Sequence, residues 1–336
     1  MAVPSLMPAR DARATRLLLC VAALVGAAIA SVLIGAKPIA IGSVIDALFG
    51  RGIDADAVIV REGRLPRTLL GLLAGTALAL SGALAQALTR NPLADPGLLG
   101  VNAGASFAMV LGVALFGASQ PGPLLAFAFC GAAAAAALVY WLGATAGATE
   151  PARFVLAGIA LSAVLMGFSS ALTLFDTPAF DAIRHWSAGT LAVRDGALTR
   201  CVAAPIALGI ALCALLARPL DALVLGDTLA RALGANPRRL QSVVIVAIAL
   251  LCGATTAAAG PIAFVGLMIP QFARRLGGAE LRWVFAFSAV LGPVLLLAAD
   301  IVGRVIVAGE LRVAVVTAFV GAPVLIAFAR RERSDA

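Results

Sequence analysis

The chain has 336 residues, of which 62% are hydrophobic and only 12% are charged, and its mean hydropathy is +1.04. These figures exclude a soluble globular domain, a disordered chain, a collagen and a coiled coil, because too few charged side chains are present to cover a soluble particle of this size. The five cysteines form no CxxC pair and each lies in an apolar stretch, so neither a disulfide framework nor a zinc site is indicated. The composition therefore predicts an integral membrane protein.

Runs without charge locate the predicted spans, because an ionised side chain is costly at bilayer depth and a span needs about 20 apolar residues. Eight such runs cover residues 17–36, 68–89, 96–149, 154–175, 201–217, 240–273, 283–299 and 313–329. Two runs are too long for one span and contain helix breakers, Pro121-Gly122-Pro123 in the third run and Gly260-Pro261 in the sixth. The sequence thus predicts an all-α polytopic membrane protein with ten transmembrane helices.

The basic residues predict the orientation of these spans. An even number of spans places both termini on one side of the membrane. If that side is the cytoplasm, 15 of the 25 basic residues lie in cytoplasmic segments, and five of the other ten lie between Lys37 and Arg67. The positive-inside rule therefore favours cytoplasmic termini. The first run, about 20 residues long, is interpreted as a retained span and not as a signal peptide.

Small residues recur at every fourth position of the second and third spans. They are Gly71, Gly75, Ala79, Ala83 and Ala87 in the second span, and Gly100, Gly104, Ala108 and Gly112 in the third. Stripes of small residues let helix backbones approach closely in lipid. Both spans are therefore expected inside the helix bundle.

Several motifs occur in a characteristic order. They are Arg64-Leu65-Pro66-Arg67, RNPLADPGLLGVNAGA at 90–105, HWSAGTL at 185–191, GPIAFVGLMIPQFAR at 260–274, Asp300 with Arg304, and Gly321-Ala322-Pro323. Together they resemble the permease subunits of the iron-siderophore, haem and cobalamin family of bacterial ABC importers, the FecCD type. The resemblance covers the chain from about residue 17 to its end. It implies the type II ABC importer permease fold, with a single ten-helix domain at 17–331 between cytoplasmic tails at 1–16 and 332–336.

Two departures from the family pattern bear on the cargo. Gln271 stands where the family usually has His, and Arg312-Val313-Ala314 stands where it usually has Pro-Val-Gly. The stretch 303–326, which contains the second departure, is particularly similar to the members that carry ferric catecholate siderophores. The resemblance therefore implies a ferric siderophore importer, with a haem or cobalamin importer of the same family as the alternative.

The resemblance also implies partners. They are a second permease subunit, a paralogue in preference to an identical copy, two ATPase subunits and a periplasmic substrate-binding protein, in the bacterial inner membrane. No GxxxxGK[ST] motif occurs, so ATP hydrolysis is expected from a separate chain. The only histidine is His185, which argues against a metal site or an enzyme. No catalytic residue and no cofactor are predicted, and the net charge of +8 is too dispersed to indicate a nucleic-acid surface.

Three arginines are candidates for docking the binding protein. The resemblance implies that Arg64, Arg67 and Arg304 pair with glutamates on that protein, and the alternative is that they anchor span ends at the lipid interface. Asp300 lies four residues before Arg304, so one helical turn would pair the two. A transporter driven by an ion gradient, with Asp300 as its coupling acid, is the rival from another class.

The segment 218–240 between the sixth and seventh spans is the expected coupling loop. Apolar residues at near-helical spacing, interrupted by glycines, predict two short amphipathic helices at the cytoplasmic surface. The resemblance implies that this loop contacts the ATPase, whereas the alternative is a helix resting on lipid headgroups. The coupling candidates are Leu225, Gly226, Ala230, Leu233 and Gly234.

Five further residues are candidates for lining the translocation pathway: Gln86, Asn91, Asn102, Trp186 and Gly189. Trp186 could instead be an interfacial anchor. Gln86 and Asn91 could equally satisfy contacts between helices by hydrogen bonding.

Overall fold

The structure is a computed structural model that describes residues 10–51, 54–144, 151–192, 196–224, 226–232, 234, 236–307 and 310–334. These residues are nearly all helical and contain no β-strand. The helices are α1 (Arg10–Leu33), α2 (Ile41–Leu48), α3 (Ala55–Val58), α4 (Leu65–Thr89), α5 (Val101–Phe116), α6 (Pro121–Ala144), α7 (Pro151–Phe175), α8 (Thr177–Trp186), α9 (Gly196–Val224), α10 (Asp227–Ala232), α11 (Pro237–Ile248), α12 (Ala254–Ala259), α13 (Val265–Gly277), α14 (Leu281–Ile306) and α15 (Val313–Ser334).

Two pairs of these helices form continuous rods. A wide π-helical turn at Ile59–Arg64 joins α3 to α4, and another at Ala249–Gly253 joins α11 to α12. With these rods, the described residues contain seven helices long and apolar enough to cross a membrane. The shorter apolar helix α5, the apolar part of α15 and the 13-residue α13 complete the set. The prediction of an all-α membrane protein with ten segments is thus confirmed.

Both predicted helix breaks are present. α12 ends at Ala259, and Gly260 follows with φ +75°; a Cβ there would lie 2.2 Å from the carbonyl oxygen of Trp186. The other break lies slightly earlier than expected, because α5 ends at Phe116 and Pro121 begins α6. Proline suits the first turn of a helix, where the missing N–H would have no partner in any case.

Several helices extend beyond the runs without charge. α1 begins at Arg10, inside the expected N-terminal tail, because Arg13 binds Glu280 (3.3 Å) just before α14 and Arg16 binds the Leu276 carbonyl (3.1 Å) near the end of α13. Residues 1–9 of the tail lie outside the described residues.

The expectation of two short helices in 218–240 is wrong in its first half. α9 continues through that region to Val224 because Leu220 and Leu223 are fully buried on its packed face. Only α10 is a separate short helix there.

Contacts at the start and at the finish of α1 and α14 define two ends of the bundle. α1 and α14 run in the same direction: they start near the Arg13–Glu280 contact and finish where Arg304 donates to the Ser31 carbonyl oxygen at 2.8 Å. The end of the bundle near the first contact is called the Arg13 end, and the other the Arg67 end. The Arg67 end holds the last turn of α1, the start of the Ala55–Thr89 rod, the end of α14 and the start of α15.

α4 lies inside the bundle, as its small residues predict. A Cβ built on Gly75 would lie 2.5 Å from Cα of Pro293 in α14, and one on Gly82 would lie 1.9 Å from the carbonyl oxygen of Gly266 in α13. In the same way Gly104 of α5 lies against Gly131 of α6, where a Cβ would be 2.4 Å from the carbonyl oxygen. Backbones thus touch directly at these positions, because only a hydrogen atom separates them.

Gly82→Ala tests this packing. The added methyl group has no space against the α13 backbone, so we expect α4 and α13 to separate and the folded state to lose about 1–3 kcal/mol, as in other overpacked cores. Gly26→Ala in α1 is the matched control, since a Cβ there has no atom within 4 Å. The thermal unfolding midpoint in detergent measures the effect, and equal midpoints for the two variants would contradict it.

Candidate functional site

The Arg67 end contains a buried ion cluster. The Asp300 carboxylate is fully buried and accepts hydrogen bonds from Arg67 Nε (3.0 and 3.1 Å) and Arg67 Nη2 (2.8 Å). Arg304 donates to the same carboxylate from Nε at 2.9 Å and also from Nη2. The pair expected between Asp300 and Arg304 is therefore present, and Arg67 is a second cation bound to the same acid.

Arg64 and Arg304 both bind the last turn of α1. Arg304 Nη1 donates to the carbonyl oxygens of Ser31 (2.8 Å) and Ile34 (3.0 Å), and Arg64 Nη1 donates to that of Leu33 (2.6 Å). The last carbonyls of a helix have no partner within the helix, so these cations satisfy them and fix the end of α1.

Glu310 gives Arg67 a partner that is open to solvent. Arg67 Nη1 donates to Glu310 Oε2 at 2.8 Å, and the Glu310 side chain is 38% exposed. Its backbone has φ +53°, an uncommon conformation for a residue other than glycine. This contact was not predicted from sequence, because residues 243 positions apart give no local signal.

A cavity of about 380 Å³ opens beside this cluster. Its charged lining residues are Lys37, Arg64, Arg67, Arg304 and Glu310. The three predicted docking arginines are thus brought together, but each is at most 9% exposed and already hydrogen-bonded within the chain. A carboxylate that entered the cavity would have to compete with Glu310, which is already hydrogen-bonded to Arg67.

The predicted coupling residues are at the Arg13 end, around α10. Gly226 and Gly234 have φ +119° and +80°, and a Cβ at either would have no atom within 4 Å. Ala230 is fully buried, and its N–H donates to the Gly226 carbonyl oxygen at 2.9 Å. Leu225 and Leu233 lie outside the described residues. A polar surface cavity of about 410 Å³ lies beside Gly234 and contains Arg231 and Arg238.

Two of the predicted pathway residues, Asn102 and Trp186, line one cavity of about 510 Å³ beside α7. Asn102 Oδ1 accepts a hydrogen bond from the Thr256 hydroxyl at 3.0 Å, and Trp186 Nε1 donates to the Ala257 carbonyl oxygen at 3.4 Å. The other lining residues with a polar or sulfur-containing side chain are Ser106, Ser162, Met166 and Ser187.

An acid missed by the sequence reasoning lies next to this cavity. Asp95 accepts from the Gly97 N–H at 2.8 Å and caps the short 3₁₀ turn Pro96–Leu99, which leads into α5. Burial raises the pKa of the Asp95 carboxyl above its ordinary value, and the hydrogen bond from Gly97 opposes that rise.

The other three pathway candidates make structural contacts. The Gln86 amide is buried, accepts from Arg274 Nη1 at 2.6 Å and donates to the Leu267 carbonyl oxygen at 3.1 Å. Asn91 closes a turn by accepting from the Leu93 N–H at 2.9 Å. A Cβ on Gly189 would lie 2.6 Å from the Pro261 carbonyl oxygen. The Gln86 contacts join α4 to α13 and match the structural alternative, whereas the Asn91 contact is local to its own turn. A pathway role for the three residues stays a prediction.

Gln271, which stands where the family usually has His, links α13 to the segment after α4. Its Nε2 donates to the Pro92 carbonyl oxygen at 2.6 Å. A histidine N–H is also a hydrogen-bond donor, so both residue types offer a group of the kind this contact uses.

Comparisons with known proteins agree with this architecture. The model of the FecCD transport family matches residues 19–331. The chain is 52% identical to the ferric enterobactin transport system permease protein FepD of Escherichia coli (strain K12), over 90% of this chain and 91% of that protein. It is 36% identical to the ferric enterobactin transport system permease protein FepG of the same strain, over 92% and 93% of the two chains.

A solved structure shares the fold as well. It is described as an inward-facing conformation of a metal-chelate type ABC transporter, and its chain superposes with a TM-score of 0.83 at 27% identity, over 95% of this chain and 99% of its own. The resemblance drawn from the motifs, including the likeness to a ferric-enterobactin permease subunit, is thereby confirmed. The chain is a multi-pass membrane protein that belongs to the FecCD transport family.

Proposed function

We propose that this chain is the permease subunit of an ATP-driven importer that moves a ferric siderophore, of the catecholate class, across the bacterial inner membrane. The observation that carries the proposal is the 52% identity to FepD over nearly the full length of both chains. The two ends of the bundle fit this function, since one presents a cavity with charged walls and the other an exposed coupling segment.

The proposed assembly contains four kinds of chain. A second, non-identical permease is supported by the similarity to both FepD and FepG, two ferric enterobactin permease proteins of one organism. Two ATPase subunits would bind around α10, and a periplasmic binding protein would dock at the Arg67 end. The excess of basic residues in the segments at the Arg13 end supports placing that end and both termini in the cytoplasm.

The surroundings of Asp300 help to decide between the proposed importer and the alternative function, a transporter driven by an ion gradient. A coupling acid must exchange protons or ions during the cycle. Asp300 is instead fully buried and bound by two arginines, Arg67 and Arg304. This arrangement supports a structural role for Asp300 and favours an ATP-driven importer.

Transport in proteoliposomes tests the function. With the second permease, the ATPase and the binding protein present, we expect uptake of a ferric catecholate siderophore that requires ATP and persists without an ion gradient. Uptake driven by a proton or sodium gradient alone would contradict the proposal. Haem and cobalamin supplied to the same vesicles serve as controls for the cargo.

The docking role is proposed chiefly for Arg67. Arg64 and Arg304 bind the end of α1, whereas Arg67 has one partner, Glu310, that solvent can reach. An acidic group of the binding protein would pair with Arg67 by displacing the Glu310 carboxylate. Loss of the Arg67 charge should therefore weaken docking, and loss of the Glu310 charge should strengthen it.

Capture of the binding protein by the Arg67→Gln and Glu310→Gln variants tests this exchange of partners. Arg67→Gln should weaken capture by about tenfold or more, as expected for a desolvated charged contact. Glu310→Gln should strengthen capture by roughly two- to fivefold, because the exposed internal competitor is removed. Arg312→Gln at the same end is the control. Weaker capture in both test variants would indicate general damage to the site and contradict the exchange.

The coupling role is tested at Gly234. Valine at a φ of +80° costs about 1–2 kcal/mol, so Gly234→Val should distort the turn after α10 and lower transport per ATP hydrolysed by roughly tenfold. Gly50→Val is the matched control, because Gly50 has the same φ and equally open surroundings but lies at the Arg67 end. Transport per ATP that falls equally in both variants would refute the assignment.

A further inference from the structure

α2 carries an apolar stripe that is exposed among the residues the structure describes. The helix has eight residues and is therefore about 12 Å long, too short to cross a bilayer. Ile41, Ile45, Leu48 and Phe49 follow the helical spacing of one face and are between 48% and 75% exposed. Four large apolar side chains exposed along one side of a helix indicate a surface that another molecule covers.

The direction of this stripe is fixed by the opposite face of α2. Val44 and Ala47 are buried against Ala57 and Val60, in a small core that is separate from the main one and extends to the last turn of α1. Arg61 Nε donates to the Ala47 carbonyl oxygen at 2.6 Å and ties the end of α2 to the π-helical turn. One face of α2 therefore packs against the protein, and another face is exposed.

α2 adjoins the exposed apolar surface of the α1 span. Val25, Ile29 and Ile34 of the α1 segment are all more than 40% exposed, and the α1 span is 6% buried within the protein. α2 packs directly on the last turn of this span, at Val32 and Leu33. Exposed apolar side chains of α1 and of α2 therefore lie on adjoining helices.

Cationic residues border the stripe. Lys37 precedes α2 with its side chain 57% exposed and ion-paired with Asp56 at 2.7 Å, and Arg51 follows α2 and is exposed. An apolar face flanked by basic residues at the end of a span is the pattern of a helix that lies in the membrane interface, where the cations reach lipid phosphates.

We infer that α2 is an interfacial helix whose partner is the phospholipid at the Arg67 end of the bilayer. Ile41, Ile45, Leu48 and Phe49 insert among the acyl chains, and Arg51 reaches the phosphate layer, while Lys37 lies at the same level in its ion pair with Asp56. Because Arg61 connects α2 to the turn that leads to Arg64 and Arg67, lipid contact at α2 braces the rod that carries the arginine cluster. This inference is independent of the cargo and of the docking partner.

Nitroxide accessibility in vesicles tests the inference. The full chain, with its five cysteines replaced by serine or alanine, receives one spin label at position 45 or 49 and is reconstituted in phosphatidylethanolamine and phosphatidylglycerol. Collision with oxygen reports acyl-chain contact, and collision with a water-soluble nickel chelate reports water. A label at 29 in α1 is the lipid reference, and a label at exposed Asp46 is the control beside the stripe.

We expect labels at 45 and 49 to resemble the lipid reference, with oxygen access several-fold above nickel access, and the label at 46 to show the reverse. Nickel access above oxygen access at 45 and 49 would mean that the stripe faces water and would overturn the inference. Low access to both reagents would mean that a protein chain covers it, which also overturns it.

A second measurement keeps the natural cysteines. In Phe49→Trp, brominated acyl chains should quench additional tryptophan fluorescence relative to the unaltered chain. Quenching by aqueous iodide instead would contradict the inference.

Discussion

One buried carboxylate holds the Arg67 end together. Asp300 accepts hydrogen bonds from Arg67 of α4 and from Arg304 of its own helix, and Arg304 in turn binds the last turn of α1. A buried charge is tolerated only when it is paired and its hydrogen-bonding capacity is used, and here each cation compensates the acid. Three helices that are distant in sequence are thereby fixed relative to one another.

Close helix packing makes this cluster possible. The contact of Gly75 with Gly292 and Pro293 brings the backbones of α4 and α14 together in mid-span. The same two helices then present Arg67 and Asp300 within hydrogen-bond distance at their ends. The ion pair at the end of the bundle therefore depends on the small residues in its middle. If α4 and α14 were farther apart, the guanidinium and the carboxylate would be buried without a partner.

The sequence predicted features with a local signal. Runs without charge gave the spans, Gly260-Pro261 gave a break, and the spacing of Asp300 and Arg304 gave their pair. The contacts of Arg67 with Asp300 and Glu310 have no local signal, because they join positions more than 230 residues apart. The length of α9 was missed for a related reason: the charge of Arg218 ended the apolar run at 217, but tertiary burial of Leu220 and Leu223 prolongs the helix.

The arginines that close the end of α1 also alter the electric field there. A helix end carries about half a negative charge, spread over its unpaired carbonyl groups. Arg64 and Arg304 lie against those carbonyls, while Asp300 and Glu310 offset further positive charge. The long-range positive potential of this face is consequently much smaller than the number of its arginines suggests. Whatever binds there is selected at short range, by the fit of individual polar groups in the cavity, more than by attraction from a distance.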